Sequence, residues 1–188
     1  MSLRKLQFSS GFLLLCAWLL YWDRSGIVWL GLLACFLHEM GHCAVLRCFH
    51  TPITQISFTF YGAKIVFAQP ISYAQEWCSA AAGPAVNLLL ACLFSMLPFG
   101  AAFAGVNLSL ALFNLLPVGH LDGARLLRCT AALIAPQELA YWISRWSSRF
   151  FTLLFLTFGI YAAVVWKNLT LLLMCFWLGK GALESDTF

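Results

Sequence analysis

The chain has 188 residues, of which 62% are hydrophobic and 10% are charged, and its net charge is +4. Soluble domains carry about 25% charged residues, so this composition excludes a soluble protein and indicates an integral membrane protein. The length predicts a single membrane domain over residues 1–188. We expect no nucleic-acid partner, because the basic residues lie between apolar segments, where they set the topology of a membrane protein.

Apolar segments separated by turns predict an α-helical polytopic membrane protein with about six transmembrane helices. These segments are residues 8–22, 27–49, 76–97, a fourth that begins at residue 101, 150–166 and 169–178. The C-terminal spans at residues 150–178 are also compatible with one re-entrant unit. Between them and the fourth span, residues 124–148 are basic and amphipathic, which is typical of an interfacial helix.

The distribution of Lys and Arg predicts the orientation of the chain. With six spans, two basic residues, Arg24 and Lys167, fall on one side of the membrane. The other side has nine: Arg4, Lys5, Arg47, Lys64, Arg125, Arg128, Arg145, Arg149 and Lys180. Basic residues accumulate on the cytoplasmic side, so we expect a cytosolic N-terminus. The first apolar segment lacks a small-residue cleavage site and is interpreted as a retained span.

A β-hairpin is predicted directly after the second span. Residues 53–60 are rich in β-branched and aromatic side chains, residues 61–64 supply a turn, and residues 65–68 resume an apolar strand. Open strand edges do not face lipid, so this hairpin is expected at the membrane interface or against a protein cavity. An ordinary loop is the alternative interpretation.

The second span contains the motif H-E-x-x-H at residues 38–42. On a helix, His38 and His42 share one face and can chelate one metal ion. Glu39 can accept a proton from water at that metal. Ionisable side chains within a membrane span are costly, so such a cluster indicates a functional site.

A third metal ligand is required, because catalytic zinc usually takes three protein ligands and leaves one position for water. Pro and Gly residues at 114–123 interrupt the fourth span, and Asp122 lies in this break at a depth that matches the motif. We therefore predict Asp122 as the third ligand. His120 is the alternative, as a ligand or as a partner of a ligand. This set predicts Zn²⁺ as cofactor and hydrolysis of a peptide bond inside the membrane, with Glu39 as base.

Three segments resemble the site-2 protease family of intramembrane zinc metalloproteases, and the resemblance covers roughly residues 8–130. They are F-L-H-E-M-G-H at 36–42, A-G-P-A-V-N at 82–87 and N-L-L-P-V-G-H-L-D-G at 114–123. Within the family, the chain looks most like the compact bacterial members, such as the sporulation protease that activates a sigma-factor precursor. The resemblance implies a zinc metalloendopeptidase whose ligands are His38, His42 and Asp122 and whose catalytic base is Glu39.

The resemblance also implies how substrate is bound. Asn114 and Pro117 match the Asn and Pro that the family has beside its site. The hairpin matches the element thought to receive the substrate as an added strand, and we expect Ile65 and Phe67 to lie on its edge. The family's second Gly after Asp-Gly is replaced by Ala124 in this chain.

The expected substrate is a membrane-bound protein that is cut in or near a transmembrane segment, and a transcription-factor precursor is one candidate. We expect the bacterial cytoplasmic membrane as the location, the lipid bilayer as surroundings, and a membrane regulator or a second copy of the chain as further partners. We expect neither a nucleotide-sensing domain nor a PDZ domain. Two other functions stay open: a non-proteolytic metal-dependent membrane enzyme or transporter, and an inactive scaffold of the same fold.

Overall fold

The computed structural model describes residues 5–51, 53–59, 62–67, 70–167, 172, 175 and 176. This part of the chain contains six helices and one three-stranded sheet. The chain divides into two compact units, Met1–Phe113 and Asn114–Phe188. The predicted span at residues 169–178 lies almost wholly outside the described residues.

The first unit combines the sheet with four helices. Its strands are β1 (Lys5–Phe8), β2 (Ile53–Thr59) and β3 (Gly62–Phe67). Its helices are α1 (Ser10–Trp22), α2 (Ile27–Cys48), α3 (Tyr73–Ser95) and α4 (Ala101–Asn114). The last residue of α4, Asn114, is already the first residue of the second unit. Ser9 begins α1 by accepting the Phe12 N–H at 3.2 Å. Ser72 begins α3 in a capping box with Gln75. Both caps satisfy N–H groups that have no partner within the helix.

The turn between α1 and α2 is organised by the carboxylate of Asp23. It accepts the Ser25 hydroxyl at 2.8 Å, the Ser25 and Gly26 N–H groups at 3.0 Å each, and the Val28 N–H at 2.8 Å. These bonds serve the first turn of α2, whose preceding residue Gly26 has a positive φ of 76° and no capping side chain. The hydrogen bond from the Ser25 hydroxyl, aided by the backbone N–H groups, lowers the pKa of Asp23.

The predicted hairpin is present as β2 and β3. The two strands are antiparallel, with Ile56 opposite Ile65 and Ile53 opposite Phe67. Residues 62–64, which the sequence assigned to the turn, are the first residues of β3, and residues 60, 61 and 68 lie outside the described part. The sequence did not predict β1, which pairs in parallel with β2 and makes β2 the central strand. β3 is therefore an edge strand of the described sheet.

Helices α2 and α3 approach closely because small residues lie at their contact. A Cβ atom at Gly41 would be 2.9 Å from the carbonyl oxygen of Ala82 and 3.0 Å from Cγ2 of Val86. Small residues permit such close backbone contact, which is a common way for helices to associate in membranes. This contact holds the later half of α2, with both motif histidines, against the middle of α3.

The second unit contains α5 (Asp122–Ile134) and α6 (Gln137–Val165). The prediction of one interfacial helix over residues 124–148 is wrong. The helix is interrupted at Ala135, which is extended with φ −134° and ψ 160°, because a following proline, here Pro136, disfavours the helical conformation. α6 then continues through the predicted fifth span, and its 29 residues make a helix about 43 Å long.

Three of the described helices are long and apolar enough to cross a membrane, namely α2, α3 and α6. Two others, α1 and α4, are apolar but have only 13 and 14 residues. Such helices are about 20 Å long, shorter than the hydrocarbon core of about 30 Å. The composition and the apolar helices together indicate an integral membrane protein. The count of six spans stays a prediction.

Candidate metal centre

The centre of the candidate site is the imidazole pair of α2. His38 and His42 are 5% and 4% exposed, and their Nε2 atoms are 3.1 Å apart. The two rings lie nearly perpendicular, at 86°, with centroids separated by 4.7 Å. The one-turn spacing of the motif therefore does bring both rings together on one face of the helix, as predicted.

The other ring nitrogens are held by acceptors on α3. Nδ1 of His38 donates to Oδ1 of Asn87, and Nδ1 of His42 donates to the carbonyl oxygen of Ser79 at 2.7 Å. A carbonyl oxygen can only accept, so the proton of each neutral ring is on Nδ1 and the lone pair is on Nε2.

This tautomer decides what the pair can bind. Two nitrogen lone pairs that face each other at 3.1 Å repel unless a proton or a metal cation lies between them. Two nitrogens on one tetrahedral zinc ion, each at about 2.0–2.1 Å from it, are about 3.4 Å apart. Metal-binding histidines commonly donate their second N–H to a carbonyl oxygen in this way. The imidazole pair therefore fits a metal of the zinc type.

Asn87 is itself held in one orientation. Its Nδ2 donates to the carbonyl oxygen of Ala34 at 3.3 Å and to Oδ1 of Asn107 at 2.7 Å. Sequence reasoning had included residue 87 only within a resembling segment and had not singled out Asn107. The available signal was that both are amides inside apolar segments, where polar side chains are costly.

Gly83 is packed against both imidazole rings. A Cβ atom there would be 2.5 Å from Nε2 and from Cε1 of His42, and 2.7 Å from Cε1 of His38. Any larger side chain would push the imidazoles away, since such distances are well below van der Waals contact at about 3.5 Å. Residue 83 must therefore be glycine for both imidazole rings to keep their positions.

Glu39, the predicted base, follows His38 on α2 and is half-buried. Successive residues of a helix are rotated by about 100°, so Glu39 does not share the face of the two imidazoles. It flanks that face, from which a carboxylate can reach water beside the pair without binding the metal. Its role as base stays a prediction.

The second unit presents Asp122 at the start of α5, with only 6% of its surface exposed. α4 ends at Asn114 and α5 begins at Asp122, so the predicted interruption of the helix is confirmed. An ionised carboxylate is favoured at a helix N-terminus, because the helix dipole is positive there. Asp122 also forms an ion pair with Arg125, with the nitrogen and oxygen 3.4 Å apart.

The loop that leads into α5 fixes the position of the first turn of that helix, which carries Asp122. The Val118 N–H donates to the carbonyl oxygen of Leu116 at 2.9 Å, and Val118 is 1% exposed. A Cβ atom at Gly123 would be 2.0 Å from the carbonyl oxygen of Leu115, so only glycine fits beside Asp122. The first turn of α5 is therefore packed directly on the preceding loop.

The remaining predicted residues are distributed as follows. Asn114 and Pro117 are half-buried, at the end of α4 and in the loop after it. His120, the alternative ligand, is exposed, in contrast to Asp122. Ile65 and Phe67 are in β3. Their predicted roles as substrate-binding residues stay predictions.

Comparison with known proteins connects these features to a family. A family model described as peptidase family M50, a family of metalloproteases, matches residues 94–158. The solved structure of a site-2 protease from Methanocaldococcus jannaschii has the same fold, with a TM-score of 0.71 and 22% identity over 94% of this chain and 87% of that chain. The resemblance to the site-2 protease family is confirmed. The family model covers about a third of the chain, and the solved structure shows the shared fold. No curated protein sequence matches this chain.

Proposed function

We propose that this protein is an intramembrane zinc endopeptidase that cuts membrane-bound proteins in or near a transmembrane segment. The observation that carries the proposal is the buried imidazole pair, whose Nε2 atoms face each other at 3.1 Å while both Nδ1 atoms are held by acceptors. Histidines that bind metal ions usually have their second ring N–H held by an acceptor in this way.

His38, His42 and Asp122 are the proposed zinc ligands, a set of three buried donors of types that zinc takes. Zinc, when bound, supplies a Lewis acid that lowers the pKa of water towards about 7 and polarises a carbonyl group. Arg125 forms an ion pair with Asp122 and helps to orient its carboxylate.

Glu39 is the proposed general base. Hydrolysis adds water across the C–N bond, so one proton must leave the attacking water and one must reach the departing nitrogen. The Glu39 carboxylate takes the first proton as the water oxygen attacks the carbonyl carbon, and the resulting carboxylic acid delivers it to the amine. The same side chain serves both transfers, and the base is regenerated at the end of the cycle.

Substrate must arrive unwound. A helix hides its peptide bonds in i to i−4 hydrogen bonds, and unwound backbone in lipid loses partners worth several kcal/mol each. We propose that β3, an edge strand, offers those partners by strand addition along Ile65 and Phe67. Asn114 and Pro117 are proposed to hold the substrate backbone nearer the site. Substrates with Gly, Pro or Asn near the cut then unwind more readily.

The proposed location is the bacterial cytoplasmic membrane, with the N-terminus in the cytosol. A membrane-tethered transcription-factor precursor, as in sporulation, is a candidate substrate under this proposal. The support for the orientation is the distribution of the basic residues along the sequence.

The experiment that tests the function compares the wild-type protein with Glu39→Gln in liposomes that contain a single-span substrate. The substitution keeps the size of the side chain and removes the base, so zinc content should stay at one per protein while cleavage is lost. Cleavage by Glu39→Gln near the wild-type rate would exclude the mechanism. Zinc binding without cleavage of any single-span protein by the wild type would favour a non-proteolytic metal protein or an inactive scaffold.

A further inference from the structure

A chain of buried amides connects His38 to a helix that carries neither histidine. Nδ1 of His38 donates to Oδ1 of Asn87, whose Nδ2 donates to Oδ1 of Asn107 at 2.7 Å. Nδ2 of Asn107 in turn donates to the carbonyl oxygen of Phe103 at 2.9 Å, within α4. Both asparagines are 0% exposed. The chain thus runs from α2 through α3 to α4.

Backbone carbonyl groups fix the direction of every bond in this chain. The carbonyl oxygens of Ala34 and Phe103 only accept, so the NH₂ group of each asparagine must face its carbonyl. Oδ1 of Asn107 therefore faces Asn87, and Oδ1 of Asn87 faces His38. The amide orientation is set at α4 and is transmitted to the imidazole.

The two bonds made by Nδ2 of Asn87 are unequal. The bond to Asn107 is 2.7 Å long, whereas the bond to the carbonyl oxygen of Ala34 is 3.3 Å long. Hydrogen bonds weaken as they lengthen beyond about 3.0 Å, so Asn107 is the main restraint on the Asn87 amide. Without that restraint, the amide can turn over and present its NH₂ group to Nδ1 of His38, where two donors would oppose each other.

We infer that Asn107 is a positioning residue for the metal site and acts through Asn87 on the tautomer and ring orientation of His38. The inference rests on the proposed zinc site. Burying an amide costs free energy unless its hydrogen bonds are made, and two leucines would fill the same space without that cost. Mutation of groups that orient a metal-binding histidine commonly reduces metal affinity by about 10–100-fold.

The test measures Zn²⁺ affinity by competition with a chelator, and the absorption spectrum of the Co²⁺ form, in detergent-solubilised full-length protein. Asn107→Leu and Asn87→Leu should each weaken Zn²⁺ binding by about 10–100-fold and alter the Co²⁺ spectrum. The double variant should bind no more weakly than Asn87→Leu, because Asn107 acts only through Asn87. Ser109→Ala removes an exposed hydroxyl from the same helix and should leave both measurements unchanged.

A role in helix packing alone would give a different pattern. Asn107→Leu would then lower thermal stability without changing affinity, or would weaken Zn²⁺ binding as much in the Asn87→Leu background as in the wild type. Either result overturns the inference. If Asn107→Leu does not fold, Asn107→Ser, whose hydroxyl is too short to reach Asn87, should give the same loss, and unchanged affinity in that variant would also overturn it.

A second measurement separates this inference from the proposed function. In the metal-free protein, nitrogen chemical shifts of the His38 ring report which nitrogen carries the proton. The wild type should show the Nδ1–H form, and Asn107→Leu should show a mixture of both tautomers. If the two proteins show these tautomers but the wild type binds no Zn²⁺, the proposed zinc protease function is overturned and the role of the amide chain is still supported. Equal tautomer populations in both proteins would overturn the amide chain alone.

Discussion

Gly83→Ala is the perturbation whose outcome follows most directly from the geometry. The new methyl group would be placed 2.5 Å from Nε2 of His42 and 2.7 Å from Cε1 of His38. An ordinary contact needs about 3.5 Å, so the rings must move by about 1 Å. Such a movement stretches the hydrogen bonds that hold both Nδ1 atoms. We therefore expect Zn²⁺ affinity to fall by about 10–100-fold, as for loss of an orienting partner.

The same substitution has two opposed effects on folding stability. Alanine is favoured over glycine in a helix by about 1 kcal/mol, whereas an extra methyl group in a packed interior costs about 1–3 kcal/mol. The net effect is a destabilisation of about 0–2 kcal/mol, which thermal unfolding measures separately from metal affinity.

The assay is Zn²⁺ competition with a chelator, together with thermal unfolding, for Gly83→Ala and two control variants. Gly31→Ala is on the helix of the histidines, where a methyl group meets nothing within 4 Å, and it should bind Zn²⁺ normally. Gly41→Ala meets the carbonyl oxygen of Ala82 at 2.9 Å and should lower stability more than affinity. Wild-type affinity in Gly83→Ala would refute the placement of the imidazoles.

Three further predictions follow from other parts of the chain. Asp122→Asn should weaken both Zn²⁺ binding and turnover, because a neutral amide is a poor zinc ligand. If the purified variant has full zinc occupancy and full activity, a residue other than Asp122 is the third ligand. Proline at Ile65 or Phe67 should slow cleavage but spare zinc content and expression, since it removes a backbone donor from β3; a scan of residues 53–68 in which cleavage never falls by itself would exclude β3 as the substrate platform. Because the pKa of Asp23 is lowered in the folded protein, its hydrogen bonds stabilise the start of α2 at pH values above the pKa of Asp23 in the unfolded chain, and this stabilisation is lost as the pH falls through the folded pKa. The protection of the amides of residues 25–28 from hydrogen exchange, measured relative to an unstructured peptide at the same pH, should therefore fall in acid, and protection that does not change with pH would contradict this.

Local patterns were sufficient for much of the fold and for the imidazole pair. The spacing of His38 and His42 determines that both rings share a face, since a helix repeats every 3.6 residues. Proline and glycine in residues 114–123 end α4 at Asn114 and leave Asp122 to begin α5. Alternating residues predicted the hairpin. Each of these features depends on neighbours within a few positions, so the sequence contains the necessary information.

Other boundaries were missed although their cause is also local. Pro136 makes Ala135 extended and divides the predicted interfacial helix, but the amphipathic pattern on either side concealed the interruption. β1 was missed because four residues make too short a pattern, and the strand exists only through its pairing with β2, about fifty residues further along the chain.

Only the tertiary structure decided how the imidazoles are held. Asn87, Ser79 and Gly83 act on the histidines from α3, and Asn107 acts from α4. Nothing in the spacing of the motif indicates these contacts, because they depend on the rotation and separation of packed helices. The sequence by itself determined that two imidazoles meet on one face of α2. Helix packing determined which nitrogen of each ring keeps its proton, and hence that the lone pairs of the two Nε2 atoms face each other.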